Sequence, residues 1–230
     1  MPPVQKDKKD KVALTASKDR VEIPDKPFIL DMPPVETGGC SILMVGSGRS
    51  GKTTALKYII DNYMKKHIGV IFSNSSKAHA YREMKYPLLP LSNAYIPELV
   101  NAAYRINKET QNLYPWLFVL DDVPLARNDK ELMKTTTIYR NSGISLIHCA
   151  QSPNMISPTC RSNYTFFMLF HNNSSEQAEN ACKFFLRGRL PNKMTMNEKV
   201  AWLQKNTEDH HFILINNWTG EIMRCKIDLD

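Results

Sequence analysis

At 230 residues, 42% of them hydrophobic and 23% charged, the chain can bury one sizeable α/β core. Its formal net charge of +7 suits an acidic partner, nucleic acid being the usual one, although a solvated basic surface gives the same balance. The five cysteines (Cys40, Cys149, Cys160, Cys182, Cys225) lack C-x-x-C spacing and argue against a disulfide framework or a zinc site. No apolar run approaches the ~20 residues that cross a bilayer, and the Lys/Asp-rich beginning lacks a signal-peptide core. Cytoplasm-like, reducing surroundings are expected.

Residues 1–26 mix Lys, Asp, Pro and Ser and read as a flexible basic N-terminal arm, leaving 27–230 for a single folded domain. Ser41-Ile42-Leu43-Met44-Val45 is short and apolar, the pattern of a buried parallel strand. A helix follows over 54–66, with Leu56, Ile59, Ile60 and Tyr63 on one face. The next expected elements are a strand over 69–72, a polar loop over 74–91, a helix over 96–111 and a strand over 116–120. A helix over 129–139 then leads to strands over 144–150 and 164–170. Helices over 175–186 and 197–204 precede two apolar runs around Thr219-Gly220, the signature of a β-hairpin. The alternation implies a mainly parallel central sheet flanked by helices, with the hairpin adding antiparallel strands.

Between the first strand and helix stands Gly46-Ser47-Gly48-Arg49-Ser50-Gly51-Lys52-Thr53, a phosphate-loop (Walker A) pattern. A triphosphate crowds negative charge, so its cradle must offer many donors without bulk. Glycines let consecutive N–H groups curl inward, and the following helix, with Thr54 in its first turn, adds the positive end of its dipole. In such a loop Lys52 reaches the β- and γ-phosphates of ATP, and Thr53 places its hydroxyl on Mg²⁺.

Leu117-Phe118-Val119-Leu120 ends in Asp121-Asp122, a Walker B-like strand end. Downstream of a phosphate loop, Asp121 is the expected metal-side carboxylate and Asp122 the general base for the attacking water; alone, the pair would read as an acidic turn. Gln151 closes the strand over 144–150 and offers an uncharged amide to sense the γ-phosphate, though most strand-end glutamines are ordinary loop residues. Arg140, at the end of the preceding predicted helix, either lends a guanidinium to a neighbouring subunit's site or simply complements the helix dipole. Lys77, Arg82 and Lys85 either line a pore or belong to a solvated loop.

The stretch from Arg140-Asn141-Ser142-Gly143-Ile144 to Ala150-Gln151-Ser152-Pro153 resembles the Arg-x-x-Gly-Ile…Ala-Gln-x-Pro segment of the FtsK–HerA superfamily of DNA-pumping ATPases. With the paired aspartates and Arg161-Ser162-Asn163-Tyr164-Thr165, the chain looks like the genome-packaging ATPases of large double-stranded DNA viruses, the poxvirus type and its relatives. The resemblance covers roughly residues 40–185. It implies a RecA-like (ASCE) P-loop NTPase fold and a homo-oligomeric ring, pentamer or hexamer, that hydrolyses ATP to drive double-stranded DNA into preformed capsids. Docking on capsid or portal-vertex components and residence in the host cytoplasm or virion are implied with it. It carries the roles above onto Lys52, Thr53, Asp121, Asp122 and Gln151, and assigns Arg140 as the trans finger. Many superfamily members have Glu where Asp122 stands. No sequence-reading DNA module is visible, so contact would be to phosphates and salt-dependent.

Two other classes share a phosphate loop at this size. A small nucleoside or nucleotide kinase needs an Arg-rich lid, for which only Arg187-Gly188-Arg189 offers itself, and a nucleotide-binding capsid scaffold needs no water-activating acid. A guanine-nucleotide switch is disfavoured because Asn107-Lys108-Glu109-Thr110 lacks the aspartate of the base-recognition motif.

Overall fold

A computed structural model describes residues 16–17, 20–33, 38–73, 81, 83–90, 95–124, 133–134, 136 and 143–228. Two two-residue strands, β1 (Ala16–Ser17) and β2 (Arg20–Val21), pair with each other. The main sheet contains β3 (Ser41–Val45), β4 (Ile68–Ser73), β5 (Leu88–Leu89), β6 (Trp116–Asp121), β7 (Ile144–Ala150), β8 (Phe166–Leu169), β9 (Phe212–Asn216) and β10 (Ile222–Cys225). Its order is β10-β9-β8-β3-β7-β6-β4-β5. The six strands from β8 to β5 run parallel, and β9 and β10 add the antiparallel hairpin. The expected fold class, a mainly parallel α/β sheet closed by a C-terminal hairpin, is what the chain adopts.

Continuous apolar strands arise because both faces of the sheet are covered. Alternate residues of β3 point opposite ways. Ile42 and Met44 pack with Leu56, Ile59 and Ile60 of α1 (Lys52–Tyr63), whereas Leu43 and Val45 join the other layer. That second layer contains Ile96, Val100 and Ala103 of α2 (Tyr95–Glu109). It also holds Ala181 of α4 (Ser175–Ala181) and Trp202 of α5 (Met196–Asn206). The short helix α3 is Pro158–Arg161. Each side chain of β3 from Ile42 to Val45 has 0% exposure, worth about 1.5–3 kcal/mol apiece in transfer free energy.

Boundaries differ from expectation for local reasons. Helix α1 begins at Lys52 rather than 54, because Gly51 at φ 100° is its N-cap, and ends at Tyr63, where the Met64 amide turns back to the Ile59 carbonyl. The helix expected over 175–186 changes at Cys182 into one π-helical stretch, Cys182–Leu186. Leu88–Leu89 adds an edge strand inside the expected loop. Of the helix expected over 129–139, positions 133, 134 and 136 are helical and the remainder lies outside the described residues, as do Arg140, Lys77 and Arg82.

Part of the segment read as an N-terminal arm packs on the sheet. Val21 and Ile23 lie against the core, Trp202 donates its indole N–H to the Val21 carbonyl at 2.8 Å, and Asp25 pairs with Arg224 of β10 at 3.2 Å.

Candidate active site

In a parallel sheet the carboxyl ends of the strands meet at one edge, and side chains just beyond them converge. Here β3 delivers the phosphate loop, β4 Ser73, β6 Asp121 and β7 Gln151 to that edge. Strand β7 stands between β3 and β6, so Gln151 separates the loop from the carboxylates.

The loop is pinned from below. The Gly46 amide donates to the Ala150 carbonyl at 3.2 Å and the Ser47 amide to the His171 carbonyl at 3.0 Å. The Ser47 hydroxyl accepts from the Asn173 amide at 2.8 Å and lies 3.4 Å from the Gln177 side-chain oxygen. A Cβ on Gly46 would sit 2.6 Å from the Phe170 Cβ, so only glycine fits, whereas one on Gly48 would meet nothing within 4 Å.

Helix α1 opens without a side-chain cap and without an acid in its first turn. Helices α3, α4 and α5 are capped by Ser157, Ser174 and Thr195, the last in a capping box with Glu198. The first-turn N–H groups of α1 and the positive end of its dipole therefore face the cleft, the arrangement that attracts phosphate. Lys52 folds over the loop and donates to the Gly46 and Ser47 carbonyls at 2.6 and 2.8 Å.

The cleft, of about 230 Å³, is lined by residues 48–54, Asp121, Asp122 and Gln151, joined by Tyr81 and His210. Asp121 is nearly buried. Burial pushes its carboxyl up, opposed by hydrogen bonds from Ser73 (2.7 Å) and Tyr81; the Asp122 charge raises it further and Lys52 lowers it. Asp122 adopts φ 54°, and its amide donates to the Cys149 carbonyl at 2.8 Å. Gln151 Nε2 donates to Asp122 Oδ2 at 2.8 Å, while Asp122 Oδ1 is buried without a protein partner, as is the Ser50 hydroxyl oxygen.

Every sequence-expected site residue among those described meets at this edge, with Gly46 and Ser47 forming the floor of the loop; Arg140 lies outside the described residues. Ser73, Tyr81 and His210 were not anticipated. Ser73 ends the strand beside β6 and was legible in principle; Tyr81 and His210 come from distant segments without a motif.

The oxygens of Thr53, Asp121 and Asp122 suit a hard cation such as Mg²⁺. The uncapped helix end, the retracted lysine and the orphaned Ser50 hydroxyl suit a polyphosphate.

No family model matches the chain. It is 25% identical over 150 residues to the uncharacterized protein 015R of Frog virus 3 (isolate Goorha), a match covering 60% of this chain and 46% of that protein. The chain thus spans about half the length of this curated relative. Among solved structures, it resembles B204, the DNA-packaging ATPase from Sulfolobus Turreted Icosahedral Virus, with a TM-score of 0.63 at 14% identity. That likeness covers 84% of this chain and 100% of the other. The genome packaging NTPase B204 from Sulfolobus turreted icosahedral virus 2, in complex with AMPPCP, superposes with a TM-score of 0.60 at 15% identity over 84% of this chain and 99% of that one. At these identities the likeness establishes architecture, and the chain has the P-loop NTPase fold.

Proposed function

We propose that the protein is an ATP-driven motor of the FtsK–HerA type that moves double-stranded DNA into preformed viral capsids. The observation that carries this reading is the meeting of an uncapped, phosphate-ready helix end with a carboxylate pair and a strand-end glutamine in one cleft. Likeness to the B204 packaging ATPases supports the direction of the work, and the net charge of +7 supports a polyanionic track.

In this reading residues 46–54 cradle the phosphates of ATP, and Lys52 leaves its loop carbonyls for the β- and γ-phosphates. Thr53 and Asp121 hold Mg²⁺, which when bound supplies positive charge to the phosphate oxygens. Asp122 takes a proton from water as the water oxygen bonds to the γ-phosphorus and the bond to the ADP oxygen breaks. Gln151, now donating to Asp122, is free to turn to the γ-phosphate once it arrives. Arg140 would serve a neighbouring protomer's site in a pentameric or hexameric ring, offsetting charge that builds on the γ-phosphate. DNA contact would be independent of sequence, with capsid or portal-vertex proteins as docking partners in the host cytoplasm.

ATPase activity measured against protein concentration, with and without duplex DNA, tests this reading. A steep rise with concentration and stimulation by DNA are expected, with Arg140→Ala abolishing turnover while sparing ATP binding. Turnover that ignores DNA and requires a nucleoside acceptor would make the protein a kinase. No turnover at high concentration with DNA present would make it a nucleotide-binding scaffold.

A further inference from the structure

His148 lies on β7, three residues before Gln151, with 0% exposure. A polar ring in such a place is costly unless its nitrogens find partners, and both do. Nε2 is 2.7 Å from the Val123 carbonyl oxygen, and Nδ1 is 2.9 Å from the Tyr164 hydroxyl. A carbonyl only accepts, so Nε2 carries the proton and Nδ1 accepts from Tyr164. Burial keeps the ring neutral, its pKa pushed down to about 4.

Val123 directly follows Asp122, whose φ of 54° is a left-handed conformation that the surroundings must hold. The Asp122–Val123 turn is tied to β7 at three points: the Cys149 carbonyl, the Gln151 amide and the His148 imidazole. Gln151 lines the cleft, but His148 does not. Tyr164 is fully buried too, and its own carbonyl accepts from Asn217 Nδ2 at 3.1 Å, so the support reaches β8 and the C-terminal hairpin.

We infer that His148 and Tyr164 are a positioning pair, holding the Asp122 turn in the geometry that keeps its carboxylate in the cleft. The inference rests on Asp122 being the water-activating group. A histidine that merely fills the core would tie down nothing in particular; this one grips the carbonyl next to the carboxylate residue from behind.

The test compares the full chain with its His148→Leu, His148→Gln and Tyr164→Phe variants. It reads kcat and KM for ATP with duplex DNA, melting temperature, and backbone hydrogen exchange over residues 119–123. In His148→Leu, kcat should fall about tenfold or more with KM within about threefold, and exchange over 119–123 should quicken while β3 and α1 stay protected. His148→Gln, which retains an N–H donor, should recover part of both. Should His148→Leu fail to fold, Tyr164→Phe, one hydroxyl smaller, carries the comparison with a weaker effect in the same direction. Unchanged exchange at 119–123 in a folded variant, or unchanged kcat despite faster exchange, overturns the inference. A wild-type protein without ATPase activity would instead sink the motor, while the exchange readout would still decide whether the pair holds the turn.

Discussion

Asp122 occupies a backbone position that few side chains tolerate. Left-handed φ costs an ordinary L-residue roughly 1–2 kcal/mol, and Asp and Asn bear it most easily because their short polar side chains hydrogen-bond locally. That gives a physical reason for aspartate rather than glutamate at this position. Asp122→Asn should keep the turn and ATP binding while lowering kcat by about 10²–10⁴-fold, the usual worth of a general base. Asp122→Glu should lose about 1 kcal/mol of stability as well, since glutamate lacks the short side chain that eases this conformation. Steady-state kinetics beside thermal melting check both; an Asn variant with full turnover would remove Asp122 from the chemistry. At this scale the sequence showed the contiguous groups, namely the loop, Asp121, Asp122 and Gln151. It did not show Ser73, Tyr81 or His210, because groups joined only by the fold leave no mark in spacing.

At the scale of elements, the phosphate loop with β3 and α1 behaves as one fitted part. Phe170 of the neighbouring β8 end packs where a Gly46 side chain would go, and the 2.6 Å separation leaves no room for a methyl group. Gly46→Ala should therefore cost about 1–3 kcal/mol and weaken ATP binding, whereas Gly48→Ala, which meets nothing in the protein, should melt like the wild type. Nucleotide titration alongside melting curves reads the difference; equal stability for both would mean the loop is less closely fitted than described. The five inner parallel strands were legible as apolar runs because both faces are buried. The two-residue strands β1, β2 and β5 were not, being too short for any period to register. Nor did periodicity mark the π-helical stretch at Cys182–Leu186, whose residues suit an α-helix equally well. Docking of Val21 and Asp25 on the sheet was hidden for another reason: isolated contacts, each far away in sequence, hold a segment whose composition is that of a tail.

For the whole molecule, the sheet divides the labour. Its carboxyl edge gathers the cleft, and the C-terminal hairpin extends the side beyond β8, bringing His210 to the cleft from the loop before β9. With a formal charge of +7, the DNA binding proposed above should rest on phosphate contacts and weaken steeply with salt. In the proposed motor, ATP cleavage in this cleft moves duplex DNA. The most direct measurement is displacement of a third strand from a triplex site on linear DNA, which only a translocating protein can strip. Wild-type protein should release the third strand with ATP at low salt, and neither Asp122→Asn nor wild type with a non-hydrolysable analogue should do so. Brisk ATP hydrolysis that leaves the third strand in place would contradict the claim.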